Sequence, residues 1–274
     1  MIIEKAYAKL NLALDVVRKR KDGYHDLKMM MIPLELHDVL TFESSEKDLK
    51  LVSNQEIENN AIIKTASFMK EMFDTEQGAK ITLEKHIPIG AGLGGGSADI
   101  AATIRGLNRL WDLNLSIKEQ EDIALKLGSD TLFCLHNKPA YVYGRGEHLL
   151  FVQTPPIKEI YLFYPNITVS TKLIFEKHQI EFSPHKFNRL FTLYINEKYQ
   201  EFFRNSYNVL TQTTLKNVPE FAAFMQKVKK ISKHSRMSGS GSTVFIPVFK
   251  ENDLKIIRKI EKSGLNPLKT SVKQ

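Results

Sequence analysis

Cysteine is all but missing from this chain. Cys134 stands alone, which excludes a disulfide framework and a thiolate metal cluster and fits a reducing cytoplasm. Long apolar runs are missing too, and none approaches the length that spans a bilayer, so no membrane association is expected. The opening Met1-Ile2-Ile3-Glu4-Lys5 has an early acid and no apolar core followed by small residues, so no secretory signal is expected. There is no internal repeat and no low-complexity tract, which excludes a repeat architecture.

What remains is an ordinary globular composition of 274 residues, a length that suits two modest domains. The best linker candidate is Thr154-Pro155-Pro156, which divides the chain into 1–153 and 154–274. The formal charge of +8 could serve a polyanionic substrate or a nucleic acid. Its basic residues are scattered, however, and even the denser groups, Arg18 to Lys21 and Lys227 to Lys233, are short enough to be solvated surface.

Ala6, Ala8, Leu10, Leu12 and Leu14 alternate with Tyr7, Lys9, Asn11, Ala13 and Asp15, a strand period that puts Lys9 and Asn11 on one face, opposite the core. Asp22-Gly23 marks a turn, and a second strand follows from Leu27 to Leu36. Ile62, Ala66, Met69 and Phe73 have helical spacing, and Ile81 to Ile87 alternates as a strand. Another helix is predicted from Lys118 to Leu127, ended by Gly128. Beyond the linker, Ile160 to Tyr164 and Val244 to Phe249 are strand-like, and Leu254, Ile257 and Ile260 mark an amphipathic helix.

Between the strand ending near Ile87 and the helix carrying Ile100, Ile104, Leu107 and Trp111 lies Pro88-Ile89-Gly90-Ala91-Gly92-Leu93-Gly94-Gly95-Gly96-Ser97. Glycine amides can converge on a phosphate unobstructed, and a helix N-terminus adds free N–H donors and the positive end of its dipole. A mere connector rarely needs five glycines in seven residues, because glycine costs chain entropy on folding. With the helix read from Ala98, Ser97 could cap it or offer a hydroxyl to a metal or phosphate. Asp99, in the first turn, favours the dipole but repels a naked phosphate; a bound cation or an orientation away from the ligand would relieve that conflict. Gly90, Gly92 and Gly95 satisfy G-x-G-x-x-G, but the position about twenty residues on, where an acid should end a second strand, falls in or just after the helix bearing Trp111. The P-loop ending Gly-Lys-Ser/Thr and the protein-kinase signatures are missing as well.

Taken with Ala8-Lys9-Leu10-Asn11-Leu12 and a second glycine loop, Met237-Ser238-Gly239-Ser240-Gly241, this loop resembles the motif set of the GHMP kinases, in the family's order. Asp22-Gly23-Tyr24-His25, Leu127-Gly128-Ser129-Asp130 and Gly144-Arg145-Gly146-Glu147 resemble the member acting on a cytidine-diphosphate-linked sugar alcohol. The resemblance implies an α+β, two-domain fold: an N-terminal mixed sheet with helices and the phosphate loop, then C-terminal helices on an antiparallel sheet. It implies transfer of the ATP γ-phosphoryl group to the 2-hydroxyl of a methylerythritol unit, on the mevalonate-independent route to isoprenoid precursors. Thr131-Leu132, Ser242 and Asn208 to Thr211 depart from the common pattern.

By this resemblance Asp130 is the base that receives the hydroxyl proton, and Lys9 orients it and stabilises developing charge. From the residues alone, Asp130 could equally be the N-cap of a short helix at 131–135, and Lys9 an exposed strand lysine. Residues Pro88 to Ala98 (Pro88, Ile89, Gly90, Ala91, Gly92, Leu93, Gly94, Gly95, Gly96, Ser97 and Ala98) would hold the nucleotide. Asn11 would bond the sugar alcohol or merely solvate a strand edge. Tyr24 would stack on cytosine, His25 would bond its edge, and Phe175 would stack less firmly. The alternatives are a turn-flanking pair and a core phenylalanine. The Ser238–Ser242 loop could close over the phosphates or be a strand turn, and Gly144–Glu147 is read as no more than a hairpin. Mg²⁺ is expected from the chemistry, with ligands unknown. The expected partner is a small molecule rather than nucleic acid or membrane, and the chain a cytoplasmic monomer or homodimer. The rivals are a homoserine- or mevalonate-type GHMP kinase, a basic RNA-binding module and a nicotinamide dinucleotide enzyme.

Overall fold

Two long strands open the chain, β1 (Ile2–Lys19) and β2 (His25–Ser45), joined through the predicted Asp22-Gly23 turn. Our computed structural model describes residues 1–57, 59–180, 184–249 and 254–274. The alternation in β1 is that of a strand, but its burial does not alternate, since residues 8–14 are all buried. Lys9 and Asn11, expected away from the core, are therefore enclosed at 4% and 1% exposure. A strand covered on both faces buries both alternating sets. β2 also runs well past the predicted end at Leu36.

Two compact units interleave along the sequence. The first comprises Met1–Lys9, Leu36–Pro88 and Gly94–Asn137. In it, the later part of β2 pairs antiparallel with β4 (Gly78–Glu84), Val39 opposite Glu84, and β4 pairs parallel with β3 (Leu49–Ser53). Its helices are α1 (Ala61–Met72), α2 (Gly95–Leu110), α3 (Ile117–Leu127) and α4 (Thr131–His136). Ile62, Ala66 and Met69 form the buried stripe of α1, while Ile104 and Leu107 do the same on α2. Ser116 and Glu119 form a capping box that starts α3. Gly128 ends α3 as predicted, but with an extended φ of 178°. Close approach explains the glycine here, because a Cβ would stand 2.7 Å from Thr131 Oγ1.

The second unit comprises Leu10–Glu35, Ile89–Leu93 and Lys138–Gln274. The early part of β2 pairs antiparallel with β5 (Ala140–Gly144), which forms a hairpin with β6 (His148–Phe151) through the Gly144–Glu147 turn. A four-stranded antiparallel sheet has the order β10 (Leu268–Thr270), β7 (Glu159–Phe163), β9 (Val244–Val248), β8 (Arg236–Met237). Six helices accompany it among the described residues: α5 (Thr171–Lys177), α6 (Pro184–Ile195), α7 (Tyr199–Asn205), α8 (Leu210–Asn217), α9 (Pro219–Ile231) and α10 (Leu254–Glu261). The expected α+β class, with one mixed and one antiparallel sheet, is the class observed.

Candidate active site

In the first unit, Lys9 from β1 and Asp130 from the residue before α4 meet, Nζ to Oδ2, at 3.2 Å. Their side chains are 6% and 28% exposed, so a buried ammonium holds a carboxylate that still reaches solvent. Asp130 occupies the N-cap position of α4, but its side chain makes no capping bond and its backbone is already helical. The carboxylate is engaged by Lys9 instead of by the helix amides. Gly94 packs directly against that lysine. Its φ is +69°, and a Cβ there would stand 2.7 Å from Lys9 Cγ. Only glycine permits both the left-handed backbone and this approach.

Gly94 is also the N-cap of α2, and among the described residues no side chain caps that helix. Its first-turn amides are thus left for an anion. Ser97, expected as the cap of a helix from Ala98, lies inside the first turn, because Gly95 and Gly96 already join the helix. A Cβ on Gly96 would meet no described atom within 4 Å, so this side of the turn is open. Asp99 resolves its conflict with phosphate by turning inward: it is 4% exposed and its Oδ2 accepts from Lys85 Nζ at 2.6 Å.

In the second unit, Gly90 to Leu93 meets the second glycine loop. Ser238 Oγ donates to the Gly92 carbonyl at 3.0 Å, and the Thr243 amide donates to the Ala91 carbonyl at 3.2 Å. A Cβ on Gly92 would stand 2.5 Å from the Ser238 carbonyl oxygen. The Asn11 amide donates to Ser238 Oγ at 3.3 Å, and its side-chain nitrogen donates to Met29 Sδ at 3.3 Å. Asn11 is therefore no solvated edge residue. Tyr164 OH donates to the Ile89 carbonyl at 2.9 Å.

The same unit holds an aromatic group. The His25 and Phe175 rings lie 5.2 Å apart at 36°. Phe175, on α5, is half-buried and not the core residue its type alone suggested. Tyr24 is 50% exposed, its amide donates to Asp22 Oδ1 at 3.1 Å, and the Arg145 guanidinium stands 5.4 Å from its ring centroid. Burial, with Lys19 nearby, lowers the pKa of His25, so its imidazole is neutral near pH 7 and offers one donor and one acceptor. Sequence reasoning missed Arg145 over Tyr24, and also the buried partners of Asp99. Lys85, set in the strand run before Pro88, was the available signal for the latter.

The model for the N-terminal domain of GHMP kinases matches residues 60–138. A 4-diphosphocytidyl-2-C-methyl-D-erythritol kinase of Bacillus pumilus is 39% identical over 251 residues, covering 89% of this chain and 87% of the relative. The chain belongs to the 4-diphosphocytidyl-2-C-methyl-D-erythritol kinase family of GHMP kinases. A crystal structure of a 4-(cytidine 5'-diphospho)-2C-methyl-D-erythritol kinase, 27% identical, superposes with a TM-score of 0.79 and full coverage of both chains. A homoserine kinase from Cytophaga hutchinsonii, 16% identical with a TM-score of 0.71 over 98% of this chain and 95% of that one, shows the fold alone.

As a member of this kinase family the chain is an ATP-dependent small-molecule kinase. Asn208, Ser242, Thr131 and Leu132 each have a local structural role. Asn208 donates from its side chain to the Met237 and Gly239 carbonyls, at 2.9 and 2.7 Å, and Ser242 Oγ donates to the Ile167 carbonyl at 2.5 Å. Thr131 and Leu132 open α4 as buried residues. No described helix is long and apolar enough to cross a membrane.

Proposed function

We propose that this chain moves the γ-phosphoryl group of ATP to the 2-hydroxyl of 4-diphosphocytidyl-2-C-methyl-D-erythritol, in the mevalonate-independent route to isoprenoid precursors. The observation that carries this reading is the Lys9–Asp130 pair, packed against Gly94 of an uncapped, glycine-opened helix N-terminus. Asp130 accepts the hydroxyl proton as the acceptor oxygen bonds to the γ-phosphorus and the bond to ADP breaks. Lys9 orients Asp130 and offsets the charge that builds on the transferring group. Backbone amides within residues 88–98 hold the nucleotide's phosphates. Asn11 positions the sugar alcohol, Tyr24 and Phe175 stack on cytosine, and neutral His25 bonds its edge. The functional division is taken at residue 153, with nucleotide binding and catalysis assigned to 1–153.

Mg²⁺ is expected to accompany the nucleotide in this reading and, when bound, would neutralise phosphate charge. Among the described residues no group of three His, Cys, Asp or Glu forms a metal cage. That donor set does not fit a protein-held ion, and Mg²⁺ commonly keeps phosphate oxygens and water as ligands, so no step is assigned to the ion. The proposed compartment is the cytoplasm, and the proposed state a monomer or homodimer.

ADP release, measured with the cytidine-linked acceptor, homoserine and mevalonate in parallel, tests the proposal. Turnover is expected with the first. Turnover confined to a non-nucleotide acceptor, or salt-sensitive RNA binding without ATP turnover, would replace it.

A further inference from the structure

Behind the first turn of α2 lies a closed ionic cluster that phosphoryl transfer itself does not use. Asp38 of β2, Lys85 just past β4, and Asp99 of α2 are 0%, 5% and 4% exposed. Lys85 Nζ donates to Asp38 Oδ2 and to Asp99 Oδ2, both at 2.6 Å. The other Asp38 oxygen accepts the amides of His86 and Ile87 at 2.6 and 2.7 Å, the two residues that lead into Pro88 and the glycine loop. A Cβ on Gly95 would stand 3.1 Å from Lys85 Nζ, so the ammonium lies directly against the helix start. Asp38 of β2 thereby fastens the entry to the loop, and Lys85 ties that carboxylate to Asp99 of α2.

The charges in this cluster do not balance. One ammonium faces two carboxylates, leaving a net negative charge, when all are ionised, against amides suited to an anion. Asp99 Oδ1 is buried and accepts no hydrogen bond among the described residues. A bare buried carboxylate oxygen is costly, and a proton removes the cost. Burial, countered in part by Lys85 and reinforced by the neighbouring Asp38 carboxylate, pushes Asp99 up to about 7.

We propose that the Asp38–Lys85–Asp99 triad positions the phosphate-binding end of α2, and that Asp99 takes up a proton when a polyphosphate binds there. This rests on the reading of residues 88–98 as the nucleotide's phosphate site. A polyanion and a net negative cluster on the two sides of one helical turn repel each other, and protonating Asp99 removes that repulsion. By linkage, binding draws the proton on and the proton tightens binding. Other ionisable groups on the surrounding elements have partners of their own, Arg109 with Glu4 and Lys80 with Glu43 among them. Lys9 and Asp130 pair with each other, Arg105 pairs with Glu4, and His86 faces Glu84 at 3.9 Å. His37 lies against the Tyr7 ring, and burial pushes the Cys134 thiol up, away from neutral pH. Asp99 touches no substrate in this scheme and is a positioning residue.

Calorimetric titration of ADP into wild type and Asp99→Asn, at pH 7.5 in two buffers of different ionisation enthalpy, counts the protons taken up. The phosphates of ADP titrate alike in both proteins and cancel in the difference. Wild type is expected to take up about half a proton more than Asp99→Asn, and its Kd to weaken about fivefold more between pH 6 and 8. Equal uptake with both proteins binding overturns the proton step. Lys85→Gln is expected to weaken ADP binding about tenfold or more; a folded variant that binds like wild type overturns the positioning role. Should Lys85→Gln not fold, Asp99→Asn decides alone. A wild type that binds no nucleotide defeats the phosphate-site reading and this inference together, whereas equal proton uptake defeats only the inference.

Discussion

Asp130 stands where a helix cap would stand, yet its carboxylate is drawn to Lys9 at 3.2 Å. Asp130→Asn keeps the size and the hydrogen-bonding acceptor but removes the proton-accepting charge. It is expected to lower kcat by about 10²- to 10⁴-fold while leaving the nucleotide Kd within about twofold. Steady-state kinetics beside an equilibrium titration measures both, and a near-normal kcat would remove Asp130 as the base. Gly94 carries a different burden. Gly94→Ala places a methyl 2.7 Å from Lys9 Cγ on a backbone at φ +69°. The left-handed residue costs about 1–2 kcal/mol, and displacing the lysine is expected to cost about 10²-fold in kcat. A denaturant midpoint and kcat report the two effects separately; an unchanged kcat would mean that the lysine accommodates the methyl. Lys9, Asp130 and the glycines were legible in the sequence because family motifs carry them. The inward turn of Asp99 was not legible, because its partners Asp38 and Lys85 come from distant strands and no local pattern links them.

Among the elements, period and punctuation served well for helices with one buried stripe and for short strands bounded by turn residues. The α1 and α3 helices and the strands around Ile160 and Val244 formed near their predicted limits, whereas the strand expected over Ile81 to Ile87 runs three residues earlier, as Gly78–Glu84. In β1 the strand formed as expected but the facing of Lys9 and Asn11 did not, because both alternating sets are buried, and the start of α2 was placed too late because glycines enter the helix. Propensity disfavours glycine in a helix, but close packing favours it here, since a Cβ on Gly95 would stand 3.1 Å from both Ile87 Cγ2 and Lys85 Nζ. The second glycine loop, for which a strand turn was the alternative, is joined to the first by one buried hydroxyl. Ser238 Oγ donates to the Gly92 carbonyl and accepts from the Asn11 amide. Ser238→Ala leaves both backbone groups without that partner in a site of 0% exposure. It is expected to cost about 1–3 kcal/mol of stability and to weaken nucleotide binding. Urea unfolding and ADP titration check this; a loss under half a kilocalorie per mole would mean that water replaces the hydroxyl.

For the molecule as a whole, the consequence of interleaving is that the second compact unit is discontinuous in sequence. Its carboxy-terminal portion depends on backbone bonds to early residues of the same unit. The Leu14 amide donates to the Tyr207 carbonyl, the Val209 amide to Leu14, the Glu35 amide to Ser271 and the Lys273 amide to Pro33. Asn11 and Gly92 complete the surroundings of Ser238. A fragment of residues 154–274 therefore loses strand partners from residues 10–35 and exposes the apolar surface they cover. Stability of folded domains is only about 5–15 kcal/mol, and the loss of four or more backbone bonds at about 1 kcal/mol each, with the apolar exposure added, consumes most of that margin. The isolated fragment is expected to show no cooperative thermal transition by circular dichroism, whereas the full chain melts cooperatively. A sharp transition in the fragment would mean that the early residues decorate this unit without being needed to build it.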